Sequence, residues 1–224
     1  MIISIVQDGP VFNNKKQTIQ KTIELVGQAK KGGADLVVFG ETWLCGYPVW
    51  IDICRDAALW DHEPVKSIWA DMYDSAIDLS SRDFDKLKKV VTDEKIWAVM
   101  GMNEKITKGP GNGTLINAVL TISDKGEIVN HHRKLMPSYS EKLVHGVGDG
   151  AALNNVKTPF GNLGALICWE HWMPMARAGH ARRSRGPPYR AMALCKRNAP
   201  GMQQAVRFRR TVSCILSRPN YEVI

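Results

Sequence analysis

Asp35-Leu36-Val37-Val38-Phe39-Gly40-Glu41 decides the fold. Its first five residues form a nearly continuous apolar run without alternation, the pattern of a strand covered on both faces. Upstream, from Asn13 to about Lys31, Ile19, Ile23, Leu25, Val26 and Ala29 recur at helical spacing with lysines between them, and Gly32-Gly33 stop the helix. Before that, Met1-Ile2-Ile3-Ser4-Ile5-Val6 is apolar from the first residue and predicts a core strand. Strand, helix, strand in forty residues is a βαβ opening, so the class is α/β. Folds of that class gather ligands at the carboxyl ends of their strands. Glu41 stands at one.

Further along, Thr42 to Asp61 holds Trp43, Tyr47, Pro48, Trp50 and Trp60, too aromatic for a solvated linker and too irregular for a helix. Pro64 to Met72 and Asp83 to Glu94 predict helices, the second capped at Ser81 or Asp83. Ile96 to Asn103 predicts a strand. Gly109-Pro110-Gly111-Asn112-Gly113 makes a loop or hairpin connection. Leu115 to Ile122 and Glu127 to Arg133 predict strands paired across Ser123-Asp124-Lys125-Gly126, and Leu163 to Ile167 a buried strand ending at Cys168.

The net charge of +8 invites a nucleic-acid or anionic-membrane reading until its distribution is examined. Residues 1–176 carry 19 Lys and Arg against 21 Asp and Glu; residues 177–224 carry 11 against one, Glu222. The basic balance belongs to the tail alone. No apolar run approaches the roughly 18 residues of a spanning helix, and the N-terminus lacks the basic region and cleavage site of a signal peptide. Five cysteines without regular spacing argue against a disulfide framework and for a reducing compartment, the cytoplasm by default.

Three predicted strand ends each deliver one reactive side chain: Glu41, Lys134 and Cys168. A cysteine nucleophile needs a base to take its proton, and a developing negative charge needs a fixed cation. Taken singly, each residue has a plainer reading. A buried cysteine at a strand end is structural more often than catalytic, a lysine after His131-His132-Arg133 suits a solvated face, and a strand-end glutamate suits a helix cap. His131 and His132, adjacent in a strand, point to opposite faces and chelate poorly. No Cys or His spacing suits zinc, and Gly146-Val147-Gly148-Asp149-Gly150 opens no helix that would cradle phosphate. Neither a metal nor an organic cofactor is expected.

The local words around the three residues carry more. Phe39-Gly40-Glu41-Thr42-Trp43-Leu44-Cys45-Gly46-Tyr47-Pro48, His132-Arg133-Lys134-Leu135-Met136-Pro137 and Cys168-Trp169-Glu170-His171-Trp172-Met173-Pro174 resemble, in order and separation, the three signatures of the nitrilase family. The resemblance runs from residue 1 to about residue 181. It implies Glu41 as general base, Lys134 as stabiliser of the tetrahedral intermediate and Cys168 as nucleophile. Glu141 matches the family's second active-site glutamate, which positions the lysine. Trp169 and His171 become pocket neighbours, and the aromatic loop Trp43 to Trp60 a wall of the substrate pocket or, for any one of its aromatics, plain packing. The implied fold is a four-layer αββα sandwich, its C-terminal part incomplete here, in a family that forms homodimers and spiral homo-oligomers. Cys-Trp-Glu-His followed by Met-Pro looks like the nitrile-hydrolysing branch, with a small-molecule nitrile as substrate; an amide hydrolase using the same residues is the nearest rival.

After Ala181 the resemblance stops. The stretch 182–224 is an arginine-rich tail broken by Pro187-Pro188. A shift of reading frame accounts for the change: with allowed codons read one base later, Tyr189 to Ala193 encode Ile-Ala-Gln-Trp-Pro, which resembles nitrilase sequence at this distance past the cysteine. On this reading residues 1–181 are a partial catalytic domain, and the chain is poorly folded beyond them and weakly active or inactive. The competing reading is a genuine nucleic-acid-binding tail, its arginines interspersed with Tyr189, Phe208 and Tyr221. The alternate frame leaves that reading little to explain.

Overall fold

A computed structural model of the chain describes residues 1–183 and 190–194. The βαβ opening is present: β1 (Ile3–Ile5), α1 (Lys15–Lys31) and β2 (Leu36–Val38), with β1 and β2 parallel. The Asn14 side chain caps α1 by accepting from the Gln17 backbone N–H at 3.1 Å, and Gly32 ends it. Its buried face is Thr18, Ile19, Thr22, Val26 and Ala29. The two threonines pass unnoticed in a count of apolar spacing. Thr22 is accommodated because its hydroxyl donates to Thr18 O at 2.7 Å and accepts from Trp43 Nε1 at 2.8 Å.

The first sheet continues through β3 (Trp97–Lys105), β4 (Leu115–Ile122) and β5 (Ile128–Arg133), in the order β1-β2-β3-β4-β5. β3 runs parallel to β2, and β4 and β5 follow as antiparallel neighbours. A second sheet holds β6 (Val156–Thr158), β7 (Gly161–Ile167) and β8 (Arg190–Leu194), with β6 antiparallel and β8 parallel to β7.

Three layers follow from the two faces of the first sheet. On one face Val37, Ala98, Met100, Ala118 and Leu120 pack against α1 and α4 (Arg82–Asp93), which contributes Phe84, Leu87 and Val91. Fully burying side chains of that size stabilises by about 1.5–3 kcal/mol each. On the other face Leu36, Val38, Val99 and Val119 meet Leu163, Ala165 and Ile167 of β7. β2 is thus covered on both sides, as its unbroken apolar run requires, and helices, first sheet and second sheet stack in the order of an αββα sandwich.

Ser81, not Asp83, caps α4, accepting from the Phe84 N–H at 3.3 Å. The segment from Thr42 to Asp61 contains one helical turn, α2 (Trp50–Ile53), closed by the Cys54 N–H on Trp50 O. The next helix, α3 (Val65–Ser75), runs a turn beyond its predicted end. Two described elements pass residue 181. α5 (Pro174–Arg183) ends just after it, and β8 lies inside the tail, where composition leads one to expect no ordered strand. Arg190-Ala191-Met192-Ala193-Leu194 is apolar after its first residue and lies along β7. The rest of the tail lies outside the described residues.

Candidate active site

Glu41, Lys134 and Cys168 each follow a strand: β2, β5 and β7 respectively. Gly101 of β3 lets the first of these turns lie close. A Cβ there would meet Gly40 O at 2.2 Å, so the backbone of residues 40–42 rests directly on the strand. The Leu44 N–H donates to Gly101 O at 3.1 Å from the same turn. Gly148 does the same for the lysine: a Cβ would fall 2.2 Å from Arg133 O, and its N–H donates to Lys134 O at 2.7 Å.

Lys134 is fully buried, with 0% of its side chain accessible. Its Nζ donates to Glu41 Oε1 at 2.8 Å and to Glu141 Oε2 at 2.6 Å. Glu141 sits on a 3-10 turn, Tyr139–Leu143, and its carboxylate also accepts from the Ser138 N–H. Asn117, in β4, also joins the two carboxylates, its Nδ2 donating to Glu41 Oε1 at 2.8 Å and Glu141 Oε1 at 3.3 Å. The cluster therefore has two carboxyls, one ammonium and one amide, all withdrawn from water.

Burial divides the two carboxyls. Glu41 is pushed above the usual carboxylate range by burial and by the charge of Glu141, against the pull of Lys134. Glu141 would also rise by burial, but Lys134 and its hydrogen bonds hold it below that range. Burial alone would lower the Lys134 ammonium, yet the two carboxylates beside it raise it. One carboxyl is suited to taking up a proton next to one that stays charged.

Cys168 opens a second 3-10 turn, Cys168–Trp172, directly after β7. Its φ is +51°, left-handed for a residue with a Cβ, and the thiol is half-buried. Such a conformation costs about 1–3 kcal/mol and persists where the surroundings impose it. The phenol of the buried Tyr47 is pushed up by burial and by the charges of Glu141, Glu41, Asp52 and Cys168.

Trp169 is 60% exposed and stacks on Trp172 with centroids 6.0 Å apart. The His171 ring lies 3.3 Å from Leu166 O, where its Nε2–H donates. In the aromatic loop, Trp43 packs into the helix–sheet core beside Phe39, Trp50 is buried and Trp60 is 97% exposed. His131 and His132 do face opposite ways. His131 and Arg133 contact Glu104, whereas His132 contacts Glu170. Among the described residues no three His, Cys, Asp or Glu side chains group as metal ligands would. Asn117 goes unnamed in a reading of the sequence, although a lone amide inside Leu115-Ile116-Asn117-Ala118-Val119 is a signal that something must satisfy it.

Residues 2–183 match the carbon-nitrogen hydrolase family, and the chain belongs to it. Among curated proteins it is 34% identical over 174 residues to an aliphatic nitrilase of Sinorhizobium fredii, covering 78% of this chain and 54% of that protein. It is likewise 34% identical over 177 residues to a nitrilase of Pseudomonas syringae pv. syringae, covering 78% of this chain and 49% of that protein. The chain thus spans about half the length of the curated relatives it matches. Its fold is shared with a carbon-nitrogen hydrolase from Helicobacter pylori, with a TM-score of 0.60 at 22% identity over 81% of this chain and 56% of that one.

Proposed function

We propose that the chain carries the catalytic residues of a nitrilase, which hydrolyses an organic nitrile to the carboxylic acid and ammonia. What supports the reading is the buried Glu41–Lys134–Glu141 cluster, together with a cysteine held at a left-handed turn at the end of β7. The names of the two nitrilase relatives agree with it.

On this reading Cys168 loses its proton to Glu41 as sulfur adds to the nitrile carbon, and the same proton passes to the nitrogen to give a thioimidate. Glu41, raised by burial, has the affinity to hold that proton in between. Glu41 then takes a proton from water as the oxygen adds to the thioimidate carbon. The C–N bond breaks as the new hydroxyl also gives up its proton to the nitrogen, so ammonia leaves with both protons of the water and a thioester remains. A second water cleaves the C–S bond, releasing the acid and restoring the thiol. Lys134 balances the negative charge of each tetrahedral species, and Glu141 keeps the ammonium aimed.

Residues 1–181 are the partial catalytic domain of this proposal, and the tail beyond them is out of frame. The reducing cytoplasm suits Cys45 and Cys54, which are free thiols. Association into homodimers or longer homo-oligomers accords with the exposed Trp169, Trp172 and Met175.

Matched nitrile and amide substrates separate this activity from its rival. Ammonia released from the nitrile by the chain and not by its Cys168→Ala variant supports the proposal. Ammonia from the amide alone makes the protein an amide hydrolase. Sequencing the coding DNA around codons 178–186 tests the frame separately, since an unbroken reading there that encodes the arginine-rich tail refutes the shift.

A further inference from the structure

We propose that Glu170 is a positioning residue whose buried carboxylate fastens together the two strand ends that present Lys134 and Cys168. The inference rests on the catalytic assignment of those two residues and goes beyond it.

Glu170 is fully buried on the turn that follows β7. One oxygen, Oε1, accepts from the Leu135 N–H at 2.7 Å, one residue after Lys134. The other, Oε2, reaches back to accept from the Ile167 N–H at 2.7 Å, one residue before Cys168. His132, two residues before the lysine, contacts both oxygens through Nε2, at 3.0 and 2.9 Å. One carboxylate therefore spans from β5 in the first sheet to β7 in the second.

The bond to Ile167 does a second thing. It closes the turn on itself around Cys168, whose left-handed φ is otherwise unfavourable for a residue with a Cβ. All three partners of Glu170 are donors, so the site requires acceptors on both oxygens. A glutamine would turn an NH2 group against one of the backbone N–H groups, leaving a buried donor facing a donor. His132 fits this arrangement as the Nε2–H tautomer, because its Nδ1 is buried without a hydrogen-bonding partner among the described residues. The carboxylate is held below the usual range by the His132 contact and the two backbone bonds, which outweigh its burial, so it stays charged and accepting.

The test uses thiol chemistry on the 224-residue chain and needs no turnover. Wild type, Glu170→Gln, Glu170→Asp and His132→Leu are treated with iodoacetamide over a pH series and read by intact mass and peptide mapping. Cys168 modification is counted only in molecules whose buried Cys45 is unmodified, so unfolded protein is left out. The expected result for Glu170→Gln is alkylation of Cys168 about tenfold slower at neutral pH, with the pH profile displaced upward as the turn that presents the thiol loosens from the end of β5. Glu170→Asp recovers part of the rate, and His132→Leu, which keeps the carboxylate and both backbone bonds, falls between wild type and Glu170→Gln. A wild-type rate and profile in Cys45-protected molecules of Glu170→Gln and His132→Leu overturn the proposal, whatever happens to stability. The catalytic assignment fails differently: in that case wild-type Cys168 reacts no faster than Cys54, a thiol of similar half-burial.

Discussion

Replacing Lys134 with methionine keeps the length of the side chain and removes the one ammonium that faces Glu41 and Glu141. At contacts of 2.8 and 2.6 Å, each attraction is about 6 kcal/mol at an effective dielectric of about 20, before the cost of withdrawing the ions from water. That cost cancels much of the gain, so the intact cluster adds little net stability. Breaking it is another matter, because two buried carboxylates bridged by Asn117 lose the ammonium that both of them contact. The expected loss is about 3–5 kcal/mol at neutral pH.

The loss should depend on pH in a set direction. Glu141, held low in the wild type, contributes stability that is present above the ordinary carboxylate range and lost as pH falls through its folded pKa. Glu41, raised, contributes stability that is complete below that range and lost as pH rises through its folded pKa. Without the ammonium both carboxyls rise, so the variant suffers most at neutral pH and above and recovers as acid protonates them. Urea unfolding followed by tryptophan fluorescence, at neutral pH and at mildly acidic pH, measures the gap between the two proteins. A gap that is under about 1 kcal/mol at neutral pH, or that does not narrow in acid, refutes the reasoning about the cluster.

Gly101→Ala places a Cβ against Gly40 O and should displace the Glu41 turn, with a loss of about 1–3 kcal/mol and a matching fall in Cys168 alkylation; a neutral result by urea unfolding argues against the close approach. Leu87→Ala, on the helix face away from the cluster, should lose about 2–5 kcal/mol while leaving the Cys168 alkylation rate of the folded protein unchanged. Cys45, whose thiol burial pushes up to about 12, should resist iodoacetamide at neutral pH until the chain is unfolded, as peptide mapping with and without urea will show. Trp60→Ala, at a side chain 97% exposed, should change stability by no more than about 0.5 kcal/mol in the same titration.

The parts of the molecule legible in the sequence are those whose periodicity or wording is local. The apolar run at Asp35 to Phe39 reads as a two-sided strand because both its faces are covered, and the Gly32-Gly33 stop of α1 is visible in composition alone. Glu41, Lys134, Glu141 and Cys168 stand in recognisable words. The contacts that hold them in place are not legible there. Asn117 looks like one polar residue in an apolar strand, and its two carboxylates lie 76 and 24 residues away. Glu170 and His132 sit inside the quoted motifs, yet their pairing across 38 residues follows from the docking of two sheets, which no local pattern encodes. β6 is three residues long and β8 lies in a stretch whose composition speaks against a strand; both are specified by an available edge on β7.

The distances along the chain that separate the members of the cluster have a kinetic consequence. Lys134 meets Glu41 across 93 residues, and its second partner only 7 residues on. The local half, Lys134 with Glu141, can form early, but the Glu41 contact must wait for a long loop to close and for β2, β3, β4 and β5 to align in register. Glu41 can therefore join the cluster only once that register is set, whatever Lys134 and Glu141 do before it. Reactivity at Cys168 then becomes a late marker of assembly: it should appear after the tryptophan signal of core formation, and the lag between the two measures how long the sheets take to meet.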